Sequence, residues 1–330
     1  VPFAYDVDGL LTRAGPVFLT REPTSGRLAS LSVGLAGETF GYTGYGELSS
    51  YQARSASGVL LDMALAYDGL GRLTEKRENG VTYGYAYDAR GRLARVSRNG
   101  TATHVYTYDG NGNRTDSGIT VDGRDRVTSK AGASYTYTGK GERATKTEGA
   151  SVTRYGYDGR GHLASAELPS GIRVEYELDA YGRRVAKRRS GTVENRYLYR
   201  SALQPAAEVD AAGNVLTRYV YARGELGPDL MERGGATYAL LKDERGSVRF
   251  VVDVFSGVVA QALEYDPFGK VVTDTSPGFQ PFGFVGAIHD PDTGLVHLGA
   301  REYDPETGAF TRRDPSGLEG GENQYAYAGG

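Results

Sequence analysis

The chain is 330 residues long and carries 38 Lys+Arg against 41 Asp+Glu, a net charge of −3 with both signs interspersed, which excludes the basic footprint of a nucleic-acid binder. It has no cysteine, which excludes a disulfide framework and a cysteine metal centre but not export from the cell, and no apolar run reaches the ~18–20 residues of a membrane-spanning helix. Glycine, at 48 residues, has about twice its usual ~7% share, and there are 25 tyrosines and no tryptophan, so many tight turns between tyrosine-rich segments are expected.

The start, Val1-Pro2-Phe3, has neither the charged nor the apolar region of a signal peptide. The chain begins without Met and ends on Gly329-Gly330, so it reads as a fragment of a longer polypeptide. Residues 1–66 hold two degraded turns, Tyr5-Asp6-Val7-Asp8-Gly9-Leu10 and Thr24-Ser25-Gly26-Arg27-Leu28. The Gly-Tyr-rich run Gly41-Tyr42-Thr43-Gly44-Tyr45-Gly46 reads as strand and loop.

A clear motif then appears twice, twenty residues apart: Tyr67-Asp68-Gly69-Leu70-Gly71-Arg72-Leu73 and Tyr87-Asp88-Ala89-Arg90-Gly91-Arg92-Leu93. Each is a hairpin turn with its flanks. Asp opens a type I turn by bonding the backbone two residues on, and Gly supplies the positive φ of the following bulge. Asp88 and Arg92 are expected to pair across the turn. Asn79-Gly80, between the copies, is the signature of a two-residue hairpin at the opposite end. Leu60 to Tyr67, the nearest thing to a helical stretch, reads as strand.

The motif continues around Asp109 and Gly112, Asp122, Thr138 and Gly141, Asp158 and Gly161, Asp179 and Gly182, and Asp210 and Gly213, with spacings mostly of 20–21 residues. Such a period means an array in which each unit buries its face only against its neighbours. Opposite-end turns recur at Asn99-Gly100, Ser117-Gly118, Ala131-Gly132, Ser170-Gly171 and Ser190-Gly191. Tyr-x-Tyr pairs (83/85/87, 106/108, 135/137, 155/157, 197/199 and 219/221) put two rings on one strand face. Repeated before similar turns, they predict a stripe, either an aromatic packing ladder or a sugar-binding platform. Tyr85, Tyr108, Tyr137 and Tyr157 are expected to be buried or stacked.

From 216 to 275 the units lengthen but keep the strand–turn–strand grammar, ending in Tyr265-Asp266-Pro267-Phe268-Gly269. The tail, 276–330, changes character. It holds Pro281-Phe282-Gly283-Phe284-Val285-Gly286 and three Asp-Pro loops, at Asp290, Asp304 and Asp314, with Pro and Gly in their favoured turn positions. Asp290-x-Asp292-x-Gly294 has the opening of a calcium loop but no Glu at the twelfth position. The four histidines are scattered without zinc spacing. No cofactor or metal is predicted.

The repeats resemble the YD repeats of Rhs proteins, of insecticidal toxin-complex C components and of the animal teneurins. The tail resembles the Rhs-repeat-associated core, in Phe-Gly-Phe-x-Gly, Tyr303-Asp304-Pro305-Glu306-Thr307-Gly308-x-Phe310 and Arg313-Asp314-Pro315-x-Gly317-Leu318. The resemblance implies an all-β fold: antiparallel hairpins spiralling into a curved sheet or hollow shell over 1–275, with 276–330 a plug-like, truncated core. It implies a bacterial protein exported to the cell surface or beyond, a covalently linked C-terminal toxin or effector as partner, and a companion shell protein. In toxin-complex relatives the core also cuts its own chain, with aspartates of Asp-Pro-x-Gly motifs. Asp314 matches the first of these, with Arg313 beside it, and the second would fall beyond Gly330.

Two carboxylates sharing a proton can activate water, because like charges a few Å apart cannot both ionise. Asp314 is thus a candidate catalytic residue of a full-length parent, against the plainer reading of a turn residue. Three functions stand: a noncatalytic shell segment, a surface module whose tyrosines meet carbohydrate or another protein, and an autoprotease active only in the parent. The apolar tail residues Phe282, Phe284, Leu295, Leu298 and Phe310 are expected to bury against the repeat sheet.

Overall fold

The computed structural model describes residues 2–327. It is all-β: thirty-one strands joined by tight turns, no α-helix among the described residues, and two short 3-10 segments, Phe284–Gly286 and Gly317–Gly320. Leu60 to Tyr67 lies in the strand Gly58–Tyr67.

The repeat turns form as their residues dictate. At the first, Gly71 N–H donates to Asp68 O (3.0 Å) and Asp68 N–H to Arg72 O (3.0 Å). Asp68 Oδ1 accepts the Leu70 and Arg72 amides, while Oδ2 accepts Arg72 Nε at 2.8 Å. Gly71 sits at φ +76, and Gly91, Gly112, Gly161 and Gly182 at +84, +84, +82 and +78. Asp88 pairs with Arg92 at 2.7 Å. The ladder slips by one residue beside these turns, as between Ala66 and Tyr67, which is the expected bulge.

At the opposite end both residues of Asn79-Gly80, Asn99-Gly100, Ser117-Gly118, Ala131-Gly132 and Ser190-Gly191 have positive φ, as a type I′ turn requires. Ser170-Gly171 departs from this. Only Gly171 is positive, and Gly171 N–H donates to Leu168 O (2.9 Å) while Leu168 N–H donates to Ile172 O. Pro169, whose ring fixes φ near −65°, converts this end to the longer turn type.

A second set of contacts joins one repeat to the next. The Arg72 guanidinium lies over the Tyr87 ring, 4.8 Å from its centroid, and Tyr87 Oη donates to Leu73 O at 2.8 Å. Arg126 and Tyr137 (5.1 Å) repeat the arrangement, with Tyr137 Oη on Val127 O, and so do Arg183 and Tyr199 (5.0 Å), with Tyr199 Oη on Arg184 O. Arg27, Tyr42 and Leu28 form it once more. The tyrosine stripe is therefore a packing ladder: Tyr85, Tyr108, Tyr137 and Tyr157 are half-buried, and Tyr106, Tyr135, Tyr155 and Tyr197 are buried.

The chain folds as two compact units. The first takes the chain up to Val105 with Arg218–Glu264 and Thr273–Phe279, the second Tyr106–Thr217, Tyr265–Val272 and the chain from Gln280 on. In the first, eleven strands from Phe3–Tyr5 to Thr101–Val105 pair in sequence order. One face of this sheet, through Leu31, Val33, Ala53, Leu61 and Met63, packs on Leu230, Ala239, Leu241 and Val252. Gly34 marks the closest approach: a Cβ there would lie 2.2 Å from Val254 O.

In the second unit, strands from Thr120–Val121 to Pro205–Val209 pair each with the next. The tail forms a four-stranded sheet, Ile288–Asp290, Leu295–Leu298, Arg301–Asp304 and Ala309–Phe310. It does not hang free. Phe282, Phe284, Leu295 and Phe310 are buried and Leu298 half-buried. Leu295 joins a core with Tyr155, Leu163, Val174 and Tyr176, and Tyr303 stacks on Phe284 and packs against Phe310.

These turns make a testable distinction between glycines. Gly91→Val should lower the urea midpoint, at a cost of about 1–2 kcal/mol, because a β-branched residue resists positive φ. Gly69→Ala should leave the midpoint close to wild type, since Gly69 lacks a positive φ and a Cβ there meets open space.

Candidate functional site

The tail's three Asp-Pro turns use one design. In each, Oδ1 of the aspartate caps its own turn and Oδ2 accepts from an arginine elsewhere. Asp304 Oδ1 accepts Glu306 N–H (2.9 Å), and Oδ2 accepts Arg143 Nη1 (2.6 Å) and Thr307 Oγ1 (3.1 Å). Asp290 Oδ1 accepts Asp292 N–H (3.0 Å) and Lys187 Nζ (3.2 Å), and its Oδ2 accepts Tyr176 Oη (2.6 Å) and Arg184 Nη1 (3.4 Å). Asp314 Oδ1 accepts the amide and hydroxyl of Ser316 (2.9 and 2.6 Å), and Oδ2 pairs with Arg301 Nη2 at 2.8 Å. Gly294, Gly308 and Gly317 close the turns at φ +72, +73 and +67.

The partners differ in origin. Arg143, Tyr176, Arg184 and Lys187 come from repeat strands, so Asp290 and Asp304 bind the tail to the array. Arg184 Nη2 also reaches Glu302 Oε1 at 3.1 Å, and His297 Nδ1 lies 2.8 Å from the same oxygen. These groups are sealed: Arg143 is 1% exposed, Arg184 2%, Asp290 2% and Glu302 5%. Burial opposes ionisation of Asp304, but the charge and hydrogen bond of Arg143, with the Glu306 amide, outweigh it and leave the carboxyl below its usual range. The same balance, with Arg184 and Lys187 for Asp290 and Arg184 and His297 for Glu302, holds both carboxyls low. The calcium-like opening at Asp290 and Asp292 is thus filled by the protein's own cations, Lys187 reaching Asp292 at 2.5 Å. No metal cluster of His, Asp or Glu exists among the described residues.

Asp314 takes its cation from within the tail. Arg301 is itself fixed, lying 3.5 Å over the Phe310 ring and donating to Gln324 O. The hydrogen bonds from Ser316 first, then the charges of Arg301 and Arg312, hold the Asp314 carboxyl below its usual range. Asp314 is therefore a carboxylate at a partly enclosed turn, and by itself a base or a charge rather than an acid.

Arg313 does not pair with Asp314. It donates through Nε and Nη2 to Lys140 O (3.1 and 2.6 Å), while Arg312 Nη1 reaches Arg160 O (3.2 Å). The two arginines grip two successive members of the tail-facing turns, where Gly141 and Gly161 leave room: a Cβ would stand 2.8 Å from Arg313 Nε and 2.9 Å from Arg312 Nη1. Tyr325 Oη on Gly141 O and Asn323 Nδ2 on Asn113 Oδ1 continue the grip. Asp109, Asp158 and Asp179 remain turn residues, as do Asp68 and Asp88 in the other unit.

The sequence carried an unused signal for Arg143 and Arg184. Both stand where the motif has Leu73, Leu93 and Leu163, the inward position after the turn. An arginine there has to bury its charge: Arg114, at the same position after Asp109, pairs with Asp116 of its own segment (2.7 Å), whereas for Arg143 and Arg184 the tail supplies the carboxylates.

A second buried network lies in the first unit, where Arg223 pairs with Asp229 (2.6 Å) and Glu38 (3.3 Å), Lys242 with Asp229 (2.9 Å), and Tyr51 Oη donates to Glu38 (2.5 Å).

The family model described as Teneurin YD-shell matches residues 1–324. Teneurin-4 of Mus musculus is 28% identical over 296 residues, covering 83% of this chain and 10% of that protein. The probable deoxyribonuclease RhsA of Dickeya dadantii is 28% identical over 279 residues, covering 79% of this chain and 20% of RhsA. The crystal structure of TcdB2-TccC3 superposes with a TM-score of 0.67 at 19% identity, over 99% of this chain and 20% of that one. The chain thus spans about a tenth to a fifth of these proteins.

The buried pairs set two expectations. Arg143→Met strands the Asp304 charge and should destabilise by about 3–5 kcal/mol, whereas Arg143→Met with Asp304→Asn should recover much of the loss, because no buried charge then remains and the cap is kept. Chemical denaturation of the three proteins reads this out. Because Asp290, Glu302 and Asp304 bind protons less readily folded than unfolded, the stability they contribute is complete above their unfolded pKa values and lost on acidification. Protease sensitivity of the tail should therefore rise as pH falls below about 4.

Proposed function

The chain belongs to the teneurin YD-shell family, and from that premise we propose that it is the structural β-shell segment of a larger Rhs-type protein that encloses or displays a C-terminal toxin or effector. In this reading 1–275 is shell wall and 276–330 is the core that seats as a plug. The observation that carries it is the docking of the tail through buried charge pairs, Arg143 with Asp304 and Arg184 with Asp290 and Glu302. A tail needed only as a linker has no reason to place its charges there, since burying them costs several kcal/mol per ion unless they are paired. The tyrosine rings are spent on neighbouring arginines and carbonyls, which favours a wall over a carbohydrate platform. The deoxyribonuclease in RhsA's name would lie in such a cargo, outside the matched part. The parent would be exported or held at the cell surface, beside a companion shell protein.

A second reading, self-cleavage of the parent, rests on Asp314, a carboxylate held ready by Ser316 and Arg301. It needs a second carboxylic acid from beyond this chain.

The experiment uses the full-length parent. Under limited proteolysis its C-terminal segment should survive while an isolated copy of that segment is digested, and Arg143→Met with Arg184→Met should expose it. Equal digestion of enclosed and isolated segments would remove the enclosure reading. On a denaturing gel, Asp314→Asn should abolish release of the C-terminal segment, because the cap survives but the charge is gone. Equal release from both chains would leave Asp314 a turn residue.

A further inference from the structure

The chain holds three Asn-Gly pairs, Asn79-Gly80, Asn99-Gly100 and Asn111-Gly112, each asparagine exposed at a turn. Glycine has no Cβ to shield its amide nitrogen, so that nitrogen can attack the preceding asparagine side chain once the turn opens. The first two pairs share one backbone: φ is +49 and +82 at Asn79 and Gly80, and +48 and +81 at Asn99 and Gly100. Their surroundings differ. The Asn79 side chain is held at both ends, Oδ1 accepting Asp62 N–H (2.8 Å) and Nδ2 donating to Leu60 O (3.0 Å). Asn99 Oδ1 accepts Thr82 N–H (2.9 Å), but its Nδ2 and the Gly100 amide have no partner among the described residues. The hairpin at 79–80 joins Leu73–Glu78 to Val81–Tyr87, two interior strands of the eleven-stranded sheet. The hairpin at 99–100 leads into the last strand of that sheet, Thr101–Val105, which is exposed along its whole length. At the third pair, Asn111 Nδ2 donates to Asp125 Oδ1 (3.1 Å) and Gly112 N–H donates to Asp109 O (3.3 Å).

We propose that Asn99 is a self-modifying site, which loses its side-chain amide through a cyclic imide and thereby releases the edge strand Thr101–Val105. The Gly100 nitrogen, having given its proton to a base in solvent, bonds to Asn99 Cγ; the Cγ–Nδ2 bond breaks and ammonia leaves with a proton from water. A further water opens the imide at either carbonyl. One product is aspartate, and the other is isoaspartate, in which the main chain runs through Cβ and Cγ. The reaction needs the turn to open, and opening costs least where few hydrogen bonds must break. At Asn99 one side-chain bond and the pairing of a strand held on one side are lost. At Asn79 two side-chain bonds are lost, from a hairpin whose strands are paired on both sides. Isoaspartate adds one carbon to the main chain of a two-residue turn whose flanks, Arg98 and Thr101, face each other directly. The ladder beyond the turn then cannot keep its register, and register decides which face each side chain meets. The site is independent of whether the parent encloses a cargo.

The test keeps the intact chain at mildly alkaline pH and samples it by peptide mapping with mass spectrometry and by an isoaspartate methyltransferase assay. Asn99 should react about tenfold faster or more than Asn79 and Asn111, a ratio set by the difference in opening free energy. In urea, where no turn is held, the three pairs should react at similar rates, since glycine follows asparagine in each. The aged chain should be cut by a broad-specificity protease within Thr101–Val105. Freshly made Asn99→Asp has an ordinary main chain and a carboxylate able to accept Thr82 N–H, so it should resist as wild type does. Three results would each overturn the proposal: Asn79 or Asn111 reacting as fast as Asn99 in the folded chain, the same order persisting in urea, or equal protease resistance of aged and fresh chains.

Discussion

The array depends on an arginine of one turn lying on the tyrosine ring of the next. Asp68 orients Arg72, Arg72 covers Tyr87, and Tyr87 returns a hydrogen bond to the carbonyl of Leu73, one residue past the arginine. An exposed Asp–Arg pair alone contributes little, roughly 0–1 kcal/mol. Here its importance is geometric. It fixes a guanidinium that would otherwise sample many rotamers, and the ring then gains a cation on its face at little further entropic cost. Each turn is thereby coupled to its successor only, and stability becomes a sum of nearest-neighbour terms. This also explains why the strands need few large apolar residues: part of the inter-repeat cohesion comes from side chains that are half aromatic and half polar.

Where the chain departs from its own motif, it has another surface to meet. Arg143 and Arg184 replace the inward leucine, and both are ion-paired to the tail. Glu142 and His162 replace the stacking arginine, and beside them Arg312 and Arg313 reach the turn carbonyls of Arg160 and Lys140. A repeat that has only neighbours to satisfy can stay regular. A repeat that also receives a returning segment must offer it charge and hydrogen-bond partners, and regularity is lost there first.

That division sets what could be read from sequence. The turns, their glycines, the strand character of Leu60 to Tyr67 and the tyrosine ladder are decided within about five residues, and all were legible. Ser170-Gly171 is a turn as expected, but of the longer type, because Pro169 lies just outside the two-residue signature. The burial of Phe282, Phe284 and Phe310 followed from their apolar surface alone. Their partners did not, because contacts such as Lys187 with Asp290 join residues far apart in the chain and leave no local periodicity. At Asp314 a nearby cation, Arg313 or another, was expected, and it is Arg301, because the guanidinium of Arg313 is taken by Lys140 O.

The turn's first and fifth residues show how tightly these constraints bind together. In seven turns that open on Asp the fifth side chain meets its Oδ2: Arg72, Arg92, Arg126 and Arg183, His162 in one repeat, and Asn113 and Asn214 in two others; the degraded turn at Asp6 has Leu10 fifth, which offers only its amide. In two turns the fifth residue is Glu, and there the first is Thr: Thr43 donates to Glu47 and Thr138 to Glu142. The backbone requirement is the same in all, since Thr Oγ1 accepts turn amides as Asp Oδ1 does. What Asp adds over Thr is a second, charged oxygen, and in those seven turns a donor waits for it. The tail's Asp-Pro turns follow the same logic with the donor brought from another segment. The side chain that closes each turn locally is also the one that ties it to a neighbour, so turn and packing cannot be exchanged independently. A donor placed fifth after Thr would leave both the threonine hydroxyl proton and the new donor without an acceptor, and an acid placed fifth after Asp would set two like charges within hydrogen-bond distance.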